Sequence, residues 1–229
     1  MSPVIIALDF RNRLEVMNFL NQFQHPEKLF VKIGMELFYS EGPQIVKDLR
    51  AKGIKVFLDL KLYDIPSIVE KAVKQLAKLD VQLITVHASG GEVMLKAAKR
   101  GAENSKKHLK ILAVTQLTST SEEQMQRDQL ISVDLKTSVT HLAKMAYQCG
   151  IDGTISSALE DPMIHKATGN DFKCINPGIR LVNNSNDDQK RVVTPEKAHQ
   201  LGSNGIVVGR AITKASDPVK AYQKIVKAF

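Results

Sequence analysis

The sequence has 229 residues, 43% of them hydrophobic and 24% charged, with a formal net charge of +8 at pH 7 and two cysteines. That balance fits one sizeable globular core and excludes intrinsic disorder, a collagen-like repeat and a disulfide-dense scaffold. No apolar run approaches the roughly 18 residues that a membrane helix needs. No basic and apolar leader opens the chain, so a cytoplasmic protein without a membrane span is expected. The surplus of positive charge favours an anionic partner, whether nucleic acid, a membrane surface or a phosphorylated metabolite. Its densest basic stretch, residues 96–110, puts Lys96, Lys99 and Arg100 on one helical face with no interleaved aromatic ring to stack on bases. A solvated face, and no nucleic-acid partner, is the reading there. Cys149 and Cys174 read as reduced, packed thiols, because no C-x-x-C pair and no closely spaced histidines accompany them.

Taken in chain order, the apolar pattern alternates between short strands and amphipathic helices. Residues 4–8 read as a buried strand, 12–24 as a helix and 29–33 as a second strand. Pro43 starts a helix over 43–52 that Gly53 stops. A third strand at 54–60 precedes a helix over 66–79, opened by Pro66, and a fourth strand at 81–86 precedes a helix over 92–103. After a fifth strand at 110–115 and a polar stretch, Asp134 caps a helix that runs through Gln148 and ends at Gly150. A strand at 154–156, a short helix over 159–168 and a strand at 172–176 follow. A helix opened by Thr194-Pro195-Glu196, a strand at 206–208 and a final helix from Asp217 complete eight strand-helix units. This alternation implies parallel pairing with right-handed crossovers. It predicts an α/β chain, residues 1–229 forming a single-domain (β/α)8 TIM barrel in preference to an open doubly wound sheet. One long irregular stretch, 177–193, interrupts the alternation.

Active sites of such barrels lie at the carboxyl ends of the strands, and here those ends are rich in charge. The first strand ends at Asp9, the second carries Lys32 next to Gly34, the third ends in Asp59-Leu60-Lys61 with Asp64 just beyond, and the fourth ends at His87. On a strand of period two, Asp59 and Lys61 project to one side and reach one site together. A structural ion pair is the plain reading of any one of these charges. Three carboxylates and two ammonium groups at neighbouring strand ends are costly to bury unless they pair, and such networks gather where chemistry needs fixed charges. The carboxylates favour the ammonium form of Lys61. His87 is read as a hydrogen-bonded core residue rather than an acid or base. Late in the chain, Asn176-Pro177-Gly178-Ile179-Arg180 and Gly209-Arg210 follow the last two strands, where barrels hold phosphate on backbone N–H groups and arginine. Between them, residues 183–189 are polar enough to serve as a closing lid. Thr118 and Ser119, beyond the fifth strand, can offer hydroxyls to a polar ring.

These residues together resemble one family. Asp59-Leu60-Lys61-Leu62-Tyr63-Asp64-Ile65-Pro66 is similar to the D-x-K-x-x-D-I-P signature of orotidine 5'-phosphate decarboxylases of the stand-alone bacterial type. Ala7-Leu8-Asp9, Val31-Lys32-Ile33-Gly34, Val86-His87-Ala88, Leu117-Thr118-Ser119, Pro177-Gly178-Ile179-Arg180 and Val207-Val208-Gly209-Arg210 resemble further family motifs in the family's order. The resemblance implies a homodimer that decarboxylates orotidine 5'-phosphate to uridine 5'-phosphate and carbon dioxide with neither metal nor organic cofactor. It implies that Asp9 and Lys32 bind ribose hydroxyls, that Asp59 faces the substrate carboxylate and that Lys61 delivers the proton within a Lys32, Asp59, Lys61 and Asp64 network. Asp64 and Ile65 would enter the partner's site. Thr118 and Ser119 would contact the pyrimidine with Pro177 beside the ring, while Arg180, Gln189, Gly209 and Arg210 would hold phosphate. The chain departs from the family pattern at Ile68, where a threonine usually contacts ribose, at Tyr63, where histidine is common, and at Ala211, where proline often follows the arginine. The rival expectations are a metal-dependent sugar-phosphate enzyme of the same barrel group, separable by a chelator, and a nucleic-acid-binding module, separable by salt-dependent oligonucleotide affinity.

Overall fold

Eight of the apolar runs become strands: β1 (Val4–Ala7), β2 (Phe30–Ile33), β3 (Lys55–Leu62), β4 (Leu83–His87), β5 (Lys110–Val114), β6 (Gly153–Ile155), β7 (Lys173–Asn176) and β8 (Gly205–Val208). They pair in parallel and in chain order, and β1 closes the ring against β8 through Val4 and Ile206. The computed structural model describes residues 3–103, 109–180 and 192–229. The closed parallel barrel is the predicted fold class.

Closure divides the core in two. Ile5, Ala7, Phe57, Leu83, Leu112, Val114, Ile155, Ile175 and Val207 fill the inside of the barrel. A larger shell, including Ile6, Val31, Leu58, Ile84, Ile111, Cys174 and Ile206, packs the outside of the sheet against the helices. Strands buried on both faces are apolar at nearly every position, which explains why they read as runs rather than as alternations.

The helices are α1 (Arg13–Leu20), α2 (Met35–Ala51), α3 (Pro66–Leu76), α4 (Gly91–Glu103), α5 (Glu122–Gln129), α6 (Leu135–Gln148), α7 (Asp161–Thr168), α8 (Pro195–Gln200), α9 (Arg210–Thr213) and α10 (Pro218–Ala228). Side-chain caps set several starts, with Asn12, Asp134, Thr194 and Asp217 each accepting a first-turn N–H. Three expectations are corrected. The helix expected from Pro43 already begins at Met35, because Gly42, at φ +64°, breaks the spiral and Pro43 restarts it. The polar stretch before Asp134 contains α5, while the residues after Gly209 form the one-turn α9. The first helix ends at Leu20, four residues earlier than the 12–24 reading.

The basic face of α4 is occupied by ion pairs. Lys96 pairs with Glu92, Lys99 Nζ lies 3.3 Å from Asp152 Oδ2, and Arg100 NH2 lies 2.8 Å from Glu70 Oε2. Cys149 and Cys174 are free and buried. Among the described residues no helix is long and apolar enough to cross a membrane.

Candidate active site

A cavity of about 270 Å³ opens at the carboxyl ends of the strands, its floor made by Ala7, Phe57, Val114, Ile155 and Val207 from the barrel interior. Above that apolar floor the first three strands contribute Asp9, Lys32, Asp59 and Lys61. Lys32 Nζ lies 3.3 Å from Asp9 Oδ1 and 3.7 Å from Asp59 Oδ2, and Lys61 Nζ donates to Asp59 Oδ1 at 2.9 Å. Gly34 leaves room for this grouping, since a Cβ there would stand 3.1 Å from Lys32 Nζ. Asp59 is buried between the two ammonium groups. Burial alone would push its carboxyl up, but Lys32, Lys61 and hydrogen bonds from Lys61 and Thr85 outweigh that penalty and hold it below the usual carboxylate range. The carboxylate is therefore a fixed negative charge, flanked by two fixed positive ones.

Asp59 and Lys61 meet, but not by strand alternation. The pairing of β3 with β4 shifts between Leu58 and Leu62, and Lys61 has a φ of 49°, in the left-handed region that non-glycine residues seldom adopt. The period-two argument is corrected accordingly: an irregular strand end makes the pair.

The later strands supply loops. Beyond β5, Gln116, Leu117, Thr118 and Ser119 line the cavity, and the buried Gln116 Nε2 donates at 3.2 Å to both Gln129 Oε1 and Ser138 Oγ, tying this loop to α5 and α6. Beyond β7, Pro177, Gly178 and Arg180 line it. Asn176 Nδ2, at the end of β7, donates to Asp161 Oδ1 at 2.8 Å and to the Ser156 carbonyl at 3.0 Å, while Arg180 N donates to the Val193 carbonyl at 3.0 Å. Beyond β8, Gly209 and Arg210 complete the wall next to β1, where a Cβ on Gly209 would stand 3.6 Å from Asp9 Oδ2.

Ten of the residues read from the sequence thus share one cavity: Asp9, Lys32, Asp59, Lys61, Thr118, Ser119, Pro177, Arg180, Gly209 and Arg210. Asp64, Ile65 and Ile68 do not line it. Asp64 is exposed and accepts the Ile65 N–H at 2.6 Å, and Ile65 and Ile68 are 62% and 44% exposed. Gln189 and the expected lid at 183–189 lie outside the described residues. His87 does not line the cavity either. Its Nδ1 accepts the Ser89 N–H at 3.2 Å, and burial, followed by the Lys61 charge, lowers its pKa. Among the described residues no group of three or more His, Cys, Asp and Glu is placed to hold a metal ion. Sequence reasoning missed Phe57, Gln116, Leu117 and Thr85. Thr85 had a signal, being a polar residue two positions from the inward Leu83 in a strand that is otherwise apolar up to His87.

A family model described as "Orotidine 5'-phosphate decarboxylase / HUMPS family" matches residues 2–225. The chain is 55% identical over 229 residues to the orotidine 5'-phosphate decarboxylase of Latilactobacillus sakei subsp. sakei (strain 23K), with 98% of this chain and 96% of that protein covered. It is 53% identical over 227 residues to that of Oenococcus oeni (strain ATCC BAA-331 / PSU-1), with 99% and 98% covered. The crystal structure of orotidine 5'-phosphate decarboxylase from Lactobacillus acidophilus superposes with a TM-score of 0.90 at 43% identity, covering 100% of this chain and 99% of that one. An uncharacterized conserved protein from Geobacillus kaustophilus superposes with a TM-score of 0.86 at 41% identity, covering 99% of each chain.

Proposed function

The chain belongs to the orotidine 5'-phosphate decarboxylase family, enzymes of pyrimidine biosynthesis, and from that premise we propose that its cavity removes the carboxylate of orotidine 5'-phosphate as carbon dioxide, leaving uridine 5'-phosphate. The observation that carries this reading is Asp59 held ionised between Lys32 and Lys61 over an apolar barrel floor. The carbon–carbon bond to the carboxylate breaks, its electron pair stays on the ring carbon, and Lys61 Nζ gives that carbon a proton. The resulting amine regains a proton from solvent. A fixed ammonium stabilises the developing negative charge with no reorganisation at the moment of reaction. Asp59 beside the departing carboxylate opposes it by like charge and so disfavours the bound ground state.

Recognition falls to the remaining wall. Asp9 and Lys32 bind ribose hydroxyls, Thr118 and Ser119 contact the pyrimidine with Pro177 beside the ring, and Arg180, Gln189, Gly209 and Arg210 hold the phosphate. Binding the phosphate far from the reacting carbon provides energy for organising the site. Ile68 supplies no hydroxyl to ribose. Asp64 and Ile65, exposed at the rim beside Tyr63, reach the site of a second copy in a homodimer. The reaction takes place in the cytoplasm, in one domain, on a small nucleotide, with no metal, cofactor, nucleic acid or membrane partner. The test is the ultraviolet absorbance of orotidine 5'-phosphate mixed with the protein in excess chelator. Loss of the orotidine signal with formation of uridine 5'-phosphate supports the reading; an unchanged spectrum with folded protein refutes it.

A further inference from the structure

Between the pairs Leu58–Ile84 and Leu62–Val86, β3 advances four residues while β4 advances two. Asp59, Leu60 and Lys61 therefore stand opposite a single residue of β4, Thr85. A strand carrying surplus residues cannot satisfy all its N–H groups on its neighbour's backbone, and here Lys61 N donates to Thr85 Oγ1 at 2.8 Å. The same hydroxyl donates to Asp59 Oδ1 at 2.9 Å. A hydroxyl has one proton and two acceptor sites, so the proton goes to the carboxylate and a lone pair to the backbone N–H, which fixes the direction of both bonds. Thr85 has no exposed surface, which shields both bonds from competition with water. A left-handed lysine persists only where its surroundings hold it, and this bond grips the backbone of Lys61 itself.

Building on the decarboxylase reading above, we propose that Thr85 is a positioning residue for the proton transfer. Its hydroxyl locks the backbone turn that carries Lys61 and orients the Asp59 carboxylate that receives the Lys61 ammonium, so Nζ is aimed before substrate arrives.

The test compares Thr85→Val, which keeps the shape and removes the hydroxyl, with Thr85→Ser, which keeps the hydroxyl. Orotidine 5'-phosphate turnover is followed against wild type, well below the melting temperature of each variant. Thr85→Val lowers kcat on the order of ten- to a hundredfold, the cost of losing a hydrogen bond to a charged group, with KM changed by less than about twofold. The acid limb of its kcat profile moves to higher pH, because Asp59 has lost a donor that favours its ionised form. Thr85→Ser recovers kcat and the profile. A merely structural threonine would lower the melting temperature without moving the acid limb. Wild-type kcat in Thr85→Val, or a Thr85→Ser variant as slow as Thr85→Val, overturns the proposal. A wild type inactive on orotidine 5'-phosphate overturns the decarboxylase reading and this proposal with it.

Discussion

Replacing Asp161 with asparagine should stabilise the protein, and by an amount that grows with pH. Asp161 opens α7 with no exposed surface. Its Oδ1 accepts from Asn176 Nδ2 at 2.8 Å and its Oδ2 accepts from Ser203 Oγ at 2.6 Å. Burial raises the carboxyl from the ordinary 3.8 to about 6, despite the lowering effects of Ser203, Asn176, the His165 charge and Cys174. The folded state thus prefers the neutral acid. Its contribution to stability is complete below pH 3.8 and is lost as pH rises through about 6. At 1.36 kcal/mol per tenfold change in proton affinity, that loss totals about 3 kcal/mol at high pH, of which about 1.4 kcal/mol falls between pH 5 and pH 8. Asparagine has the same shape, can accept from Asn176 and donate to Ser203, and does not ionise. Urea unfolding of wild type and Asp161→Asn at pH 5 and pH 8 singles out this group, since titrations that do not interact with residue 161 cancel in the difference. The stability gap between variant and wild type should widen by about 1.4 kcal/mol over that range. A gap independent of pH, or one that narrows, would show that the buried donors hold the carboxylate ionised and that burial does not dominate.

Three further outcomes are expected. Lys61→Ala should abolish turnover while uridine 5'-phosphate binding, measured by calorimetry, stays detectable; wild-type-like turnover would remove the proposed proton donor. Arg210→Ala should weaken uridine 5'-phosphate binding on the order of ten- to a hundredfold, the scale of a charged hydrogen bond, and leave uridine binding unchanged, so an equal loss for both ligands would refute the phosphate role. Leu130 sits 85% exposed at the end of α5 with a φ of 56°, so Leu130→Gly should raise the unfolding free energy by up to about 1 kcal/mol, because a side chain disfavours the left-handed region; a lower melting temperature would contradict that.

The charged strand ends were legible because the barrel is. Once eight apolar runs separated by helices are recognised, the carboxyl end of each run becomes an address, and Asp9, Lys32 and Asp59 stand at three consecutive addresses. The turn at Lys61 was not legible: Asp59-Leu60-Lys61-Leu62 alternates polar and apolar like a regular strand, and the irregularity exists only in register against β4. α5 escaped the periodicity reading because Met125 is its one buried residue. A local signal was nonetheless present, since Ser121 and Gln124 form a capping box whose two reciprocal bonds are both made. α9 is a single turn, too short for any period to register.

The two halves of the cavity are built by different means, and the difference matches the division of labour proposed for them. On the side of β1 to β3 the polar groups belong to the strand ends themselves, braced against one another and against Thr85, as a transition-state charge requires of groups that must not reorganise. On the side of β5 to β8 the polar lining residues stand beyond the strand ends, and the segments after β5 and β7 are fastened by polar ties: Gln116 to Ser138 and Gln129, Asn176 to Asp161 and Ser156. Loosening a tie of the second kind moves residues that recognise the nucleotide and leaves the Asp59–Lys61 pair where it was. Damage there should therefore appear in KM, whereas damage at Thr85 should appear in kcat. Comparing the two kinds of damage thus probes the architecture itself, since a barrel whose halves were mechanically coupled would show kcat falling and KM rising together in each.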